Sequence, residues 1–418
     1  MYINNSGTYE SCRWHAQAGH TQVDYNSNIK TVSPLTYFQQ HMSDFRTRLL
    51  QGQSPAICQD CAKMEQHGKV SGRQRQRLKV GVRSEYFEKS LASSPFKPVF
   101  DYSQQHQGHT DRGVRDWQID LGNYCNSACV FCNPESSSTL AAEFVRIGLI
   151  DQTPHQAWSD DPDLVERFVK DLQATPDLEY LHFIGGETVI TPGFRRILHA
   201  LVDADLASRV SIGFTTNLTV WAEPVVDLLY QFRTVNLGMS VESLTAVNDY
   251  VRHPSRVDLI RQILDRWVAL GKQQNWLMQL RITPTCLTVH DLSTVYEYAW
   301  QNHLAVESCN FLDRPEFLRI NVLPVSQRWQ AHANLQRWLD QHRYDYNQQI
   351  INTRDPNQAR AQITQDAQSY LDYLSTAEDE AHRLPDLITY LKRLESSRGN
   401  SILTYLPQYE DLFRSAGY

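Results

Sequence analysis

Several things are missing from this 418-residue chain, and each absence narrows the reading. No stretch is apolar enough to span a bilayer, which argues against a helical membrane anchor. The opening MYINNSGTYESC has no basic patch leading into an apolar run, so it does not read as a secretory signal. There is no internal repeat of fixed period and no low-complexity tract. Positive charge is not in excess: the net charge of -7 argues against general nucleic-acid binding. With 41% hydrophobic and 21% charged residues, the composition is that of a soluble globular protein, long enough for one large core with smaller appendages. Cysteine is sparse, at eight residues, and without an export signal it points to a reducing cytoplasm, where thiols serve metals or redox chemistry more often than disulfides.

Those cysteines are not scattered. Cys12, Cys58 and Cys61 fall early, Cys125, Cys129 and Cys132 fall within YCNSACVFCNP, and Cys286 and Cys309 stand alone. Two groups of three suggest two metal centres, while the isolated pair suits buried small side chains. The central triplet follows the alternating WQIDLG, which reads as a strand, and precedes SSSTLAAEFVRIGLI, which opens with serines and continues with helical apolar spacing. Further strand–helix units follow: YLHFIGGE with GFRRILHALVDA, VSIGFTTN with AEPVVDLLYQF, VNLGMSVE with RVDLIRQILDRWVAL, and WLMQLRITPT with HDLSTVYEYAWQ, before a sixth strand in AVESCNFL. Strands alternating with amphipathic helices give a parallel sheet, and active sites of β/α barrels gather at the carboxyl ends of the strands.

The C-x3-C-x2-C spacing of Cys125, Cys129 and Cys132, with Phe131 before the last cysteine, resembles the radical S-adenosylmethionine (radical SAM) superfamily. That resemblance implies a partial (β/α)6 TIM-like barrel and a [4Fe-4S] cluster. Three cysteines would hold three irons, and the fourth would chelate SAM. It also implies reductive cleavage of SAM to a 5'-deoxyadenosyl radical. Gly185, Gly186 and Glu187 match the family's GGE motif, whose backbone and carboxylate hold the SAM amino group; glycine admits close approach and a carboxylate complements an ammonium. By the same resemblance Ser240 contacts the SAM ribose and Arg252 meets the SAM carboxylate. Thr215, Asn217 and Glu242 complete the expected cofactor pocket. Strand-end caps and a solvent-facing arginine are the plain alternatives for these polar residues.

The early triplet resembles the half-SPASM or twitch region that holds an auxiliary cluster, here preceding the barrel. Cys58 and Cys61 form C-x2-C, and Cys12 reaches the same site from a hairpin turned at Gly7. A zinc knuckle is the alternative. The site has three evident thiolates; its fourth position is either open or filled by another residue, His15 being near in sequence. Cys309 and Cys286 are candidate hydrogen donors of the kind some peptide epimerases of this superfamily use, against the plainer reading of packed core thiols. The basic run from Lys69 to Arg83 suits an acidic leader peptide or a phosphate-rich partner, against the plainer reading of a solvated helix face.

The expected organisation is therefore a twitch segment and linker over 1–111, the barrel over 112–324 and a helical region over 325–418. The resemblance implies a leader-guided precursor peptide as substrate, with epimerisation, a crosslink or excision as the outcome. It also implies a flavodoxin- or ferredoxin-type reductant. Two other readings compete: a radical SAM enzyme acting on a small molecule, nucleotide or sugar, and a non-catalytic zinc-binding interaction protein. Fold-level analogy does not by itself choose among substrates.

Overall fold

The computed structural model describes residues 1–10, 27–53, 55, 58–66, 71, 73–74, 87–154, 157–308, 312–342, 344 and 353–418. Cys12, His15, Cys309 and most of the Lys69–Arg83 run lie outside the described residues. The chain divides into two compact units. The first comprises Met1–Asp120, Ala157–His182 and Arg196–Val210; the second comprises Leu121–Gln156, Phe183–Arg195 and Ser211–Tyr418. The residues from 325 onward belong to the second unit, with the later strands.

In the first unit, β1 (Tyr2–Ile3) and β2 (Thr8–Glu10) form an antiparallel hairpin. Its turn closes at Gly7, as its position predicts: the Gly7 amide donates to the Asn4 carbonyl at 2.9 Å, and Asn4 Oδ1 accepts from the Ser6 and Thr8 amides. Gly7 has φ +85°, and a β-carbon there would lie 2.7 Å from Ile29 Cγ2, so both conformation and space require glycine. β3 (Ser27–Asn28) pairs with β2, and β4 (Asp116–Asp120) runs parallel to β1 with Tyr2 opposite Gln118. The helix Pro162–Gln173 starts at Asp161, whose side chain accepts from the Asp163 and Leu164 amides. It buries Leu164, Val165, Phe168, Val169 and Leu172, the i, i+4, i+8 stripe that lets Phe168 meet Trp117 edge-on at 5.4 Å.

β5 (Tyr180–Ile184) carries the chain toward the second unit, which holds β6 (Ser211–Thr216), β7 (Thr234–Ser240), β8 (Leu277–Ile282) and β9 (Ala305–Ser308). β6 to β9 are parallel neighbours in chain order. Period-two alternation puts Leu237, Met239, Leu280 and Ile282 on a fully buried face, while Gly238, Ser240, Gln279 and Arg281 share the other. The helix Val257–Gln273 covers the apolar face with Ile260, Leu264, Trp267 and Val268. All six expected strands, β4 to β9, are present with intervening helices. The fold is α/β, of the partial TIM-like kind, with a helical C-terminal region. In that region Gln362, on the helix Pro356–Thr376, bonds both the amide and the carbonyl of Val306, occupying the outer edge of β9 that would otherwise invite a further strand.

Candidate active site

After β4 the chain enters an irregular stretch, 121–137, that carries the cysteine triplet. Irregular backbone needs outside partners for its amides and carbonyls, and the following helix, Ser138–Arg146, supplies several. Ser137 caps that helix by accepting from the Leu140 amide at 3.1 Å, and donates its hydroxyl proton to the Ser127 carbonyl at 2.6 Å. Ser138 Oγ accepts from the Cys125 amide at 3.1 Å, and Thr139 donates to the Cys125 carbonyl at 2.6 Å. The serines that signal a helix start in the sequence thus also hold the loop. Their second role was not legible, because it depends on the loop folding back onto its own helix.

The GGE stretch laces onto the same loop. The Gly186 amide donates to the Gly122 carbonyl and the Glu187 amide to the Tyr124 carbonyl, both at 2.8 Å. A β-carbon on Gly186 would stand 2.1 Å from the Tyr124 carbonyl oxygen, so the contact exists only because the residue has no side chain. Gly185 has φ +117°, a conformation reserved for glycine. Glu187 is 1% exposed. Its carboxylate accepts from Thr216 Oγ1 at 2.8 Å and from the Asn217 amide at 2.5 Å. Burial, partly offset by these bonds, raises its pKa to about 7.

Asn217 in turn reaches the cysteine loop. Its Nδ2 donates to Asn126 Oδ1 at 2.9 Å and Ser127 Oγ at 3.0 Å, and stands 3.9 Å from Cys125 Sγ. Asn126 and Ser127 escaped notice because they sit between cysteines without a spacing of their own. Arg252 is nearly enclosed. Its Nη2 pairs with Glu242 Oε1 at 2.7 Å, its Nη1 lies 3.9 Å from Cys129 Sγ, and its guanidinium stands 5.5 Å from the Phe131 ring centre. Glu242 is 1% exposed and also accepts from the Thr283 amide at 2.6 Å. The solvent-facing alternative for Arg252 therefore does not hold. Its Nε and the hydroxyl of Thr215 are buried without a partner among the described residues, and Ser240 is half-buried in register with Arg281.

The donor set fits an iron–sulfur cluster. Burial raises the Cys125 and Cys132 thiols to about 12, each pushed further by neighbouring cysteine. Cys129 is also raised by burial, with the Arg252 guanidinium pulling it back. Three clustered thiols, Cys129 buried and Cys125 and Cys132 half-buried, all held in the protonated form, are groups whose protons a cluster would displace. Among the described residues, no three His, Cys, Asp or Glu side chains converge on a single metal ion. Cys58 and Cys61 are half-buried, Cys61 lying on the helix Gln59–Gln66. Arg73, bonded to Glu65 at 2.7 Å through both Nε and Nη2, lies within electrostatic range of both sulfurs. Cys12, the third member of the early triplet, lies outside the described residues. Cys286 is fully buried, its thiol 3.9 Å from the Phe317 carbonyl and its carbonyl accepting from Tyr409 at 2.8 Å, the surroundings of a packed core thiol.

Among the described residues, no helix is long and apolar enough to cross a membrane. No curated protein matches the chain. Among solved structures, native anSMEcpe with bound AdoMet shares 14% identity at a TM-score of 0.39, covering 54% of this chain and 60% of that one. Streptococcus suis SuiB bound to S-adenosylmethionine also gives 14% and 0.39, covering 72% and 64%; the same protein bound to precursor peptide SuiA gives 14% and 0.39, covering 70% and 61%. The chain thus spans about three-fifths of the length of these proteins. Residues 119–280, which hold the cysteine triplet, the GGE stretch, Asn217 and the Arg252–Glu242 pair, match the family model of the radical SAM superfamily, and the chain carries a domain of that superfamily there.

Proposed function

We propose that this protein binds a [4Fe-4S] cluster through Cys125, Cys129 and Cys132 and uses it to cleave SAM reductively. The observation that carries this reading is the close approach of Gly186 to the Tyr124 carbonyl, which brings the GGE strand end against the cysteine loop. When bound, the cluster would supply one electron to break the sulfur–carbon bond of SAM, giving methionine and a 5'-deoxyadenosyl radical that takes hydrogen from the substrate.

The chain's own residues would hold and orient. Glu187 offers a carboxylate to an ammonium, and Arg252, whose Nε–H finds no partner among the described residues, offers charge to a carboxylate while Glu242 fixes its plane. Thr215 and Ser240 supply hydroxyls. The C-x2-C pair with Cys12 we assign to an auxiliary cluster, and Cys309 is the favoured hydrogen donor over the enclosed Cys286. The substrate class that the sequence resemblance implies is a leader-guided precursor peptide.

Iron and 5'-deoxyadenosine test the reading. Anaerobically reconstituted wild type should carry about four irons per cluster and release 5'-deoxyadenosine from SAM under dithionite, and Cys125→Ala/Cys129→Ala/Cys132→Ala should lose about four irons and all cleavage. A triple variant that keeps both would end the proposal. Turnover of a small molecule with no peptide present would instead replace the substrate class.

A further inference from the structure

The helix Leu384–Arg398 lies some 250 residues beyond the cysteine loop and touches it twice. Tyr390 donates its phenolic proton to the Val130 carbonyl at 2.9 Å, and Arg398 Nη2 donates to the Ala128 carbonyl at 2.7 Å. These two carbonyls flank Cys129. The amides of the same two residues are taken up elsewhere: Ala128 N donates to the His253 carbonyl at 2.6 Å and Val130 N to the Val251 carbonyl at 2.8 Å. Every backbone polar group of the two residues bracketing Cys129 is therefore committed, half to the segment that carries Arg252 and half to the C-terminal helix.

Both helix side chains are themselves fixed. The Arg398 side chain is 1% exposed and forks onto Glu143, with Nε 3.0 Å from Oε1 and Nη2 2.7 Å from Oε2. Glu143 stands on the helix Ser138–Arg146 that grows out of the cysteine loop. The Tyr390 ring meets Phe144 edge-on at 6.2 Å and Phe317 at 5.0 Å. A buried guanidinium and a half-buried phenol are costly choices for filling space, since each needs its polar atoms satisfied. Here the cysteine loop takes the Tyr390 hydroxyl and Arg398 Nη2, and Glu143 takes Nε and Nη2, while Nη1 is left without a hydrogen-bond partner among the described residues.

We propose that Tyr390 and Arg398 are positioning residues that hold Cys129 in register with Cys125 and Cys132, which makes the C-terminal helix part of the cluster-binding site. The inference rests on the cluster reading above. Tyr390→Phe is the gentle test, because it removes one hydroxyl and leaves the ring packed. Arg398→Lys keeps the charge and loses the fork. Lys392→Ala is the control: it lies on the same helix but bonds the Gly417 carbonyl instead of the loop.

Two readouts are compared: amide hydrogen exchange of residues 124–132 in the apo-protein, and the rate at which a chelator bleaches the reconstituted cluster. Tyr390→Phe should speed both by roughly three- to tenfold, the worth of one hydrogen bond, and Arg398→Lys by at least as much. Lys392→Ala should match wild type in both. The proposal is overturned if Tyr390→Phe and Arg398→Lys behave like Lys392→Ala. Wild type that takes up no iron would overturn the cluster reading and this role with it. The exchange experiment, which needs no iron, would still show whether the helix holds the loop, so the two failures are told apart.

Discussion

Gly186 shows how one missing side chain organises a site. Its neighbour Gly185 is required for its backbone angle, but Gly186 is required for space: the Tyr124 carbonyl already occupies the volume a β-carbon would need. An alanine there must push the strand end off the loop, breaking the Gly186–Gly122 and Glu187–Tyr124 bonds together. Gly186→Ala should cost about 1–3 kcal/mol in urea unfolding, the usual range for overpacking a tight contact. It should also weaken SAM binding in equilibrium dialysis by more than its stability loss explains. Full-strength SAM binding in this variant would mean that the strand end contributes nothing to the cofactor pocket. Arg252 argues a related point from charge. Its ion pair with Glu242, at 10% and 1% side-chain exposure, is one whose partners cannot be removed singly without stranding a buried charge.

At the scale of elements, the helix Ser138–Arg146 has two jobs, and Ser137 joins them. Its hydroxyl caps the helix and closes the loop onto it. Ser137→Ala should destabilise the protein by about 1–3 kcal/mol, through the lost cap and the stranded Ser127 carbonyl. Ser137→Thr should recover much of that in the same urea titration, and a loss below about 0.5 kcal/mol for Ser137→Ala would show the cap to be dispensable. Such elements were legible to different depths. The six strands could be read because period-two alternation and strand-end polar residues are local signals, as in β7, where Leu237 and Met239 alternate with Gly238 and Ser240. The triplet and GGE could be singled out because their spacing matches motifs of the superfamily they resemble. Tyr390 and Arg398 could not. Their meaning comes from tertiary contacts across about 250 residues, and in sequence they are two members of an ordinary amphipathic helix. Cys286 kept two readings for the complementary reason: a cysteine just past a strand can face the strand ends or the core, and only packing, which encloses it, decides.

For the whole molecule, two enclosed carboxyl groups couple stability to pH in opposite directions. Burial pushes Glu143 up, but hydrogen bonds and charge from Arg398 outweigh it and hold the group below its ordinary 4.5. A depressed carboxyl contributes stability that is present above the unfolded value and lost as pH falls through the folded one. Glu187 is the reverse. Burial raises it to about 7 despite the Asn217 amide and Thr216 hydroxyl, so its contribution is full below about 4.5 and is lost as pH rises through 7. A shift of that size corresponds to roughly 3 kcal/mol between the two ends of the range. Urea midpoints of the apo-proteins between pH 4 and 8.5 should therefore separate the two. Glu187→Gln should gain on wild type steadily as pH rises from 5 to 8, because the variant no longer has to ionise an enclosed group. Glu143→Gln should be least stable relative to wild type at neutral pH, with its deficit shrinking as pH falls below 4.5. Curves for Glu187→Gln and wild type that run parallel from pH 5 to 8 would mean that Glu187 is already ionised in the folded protein. Burial would then have been overcome by the hydrogen bonds from Thr216, Asn217 and Val189 that reach it, and the carboxylate would stand ready for a cation without first giving up a proton.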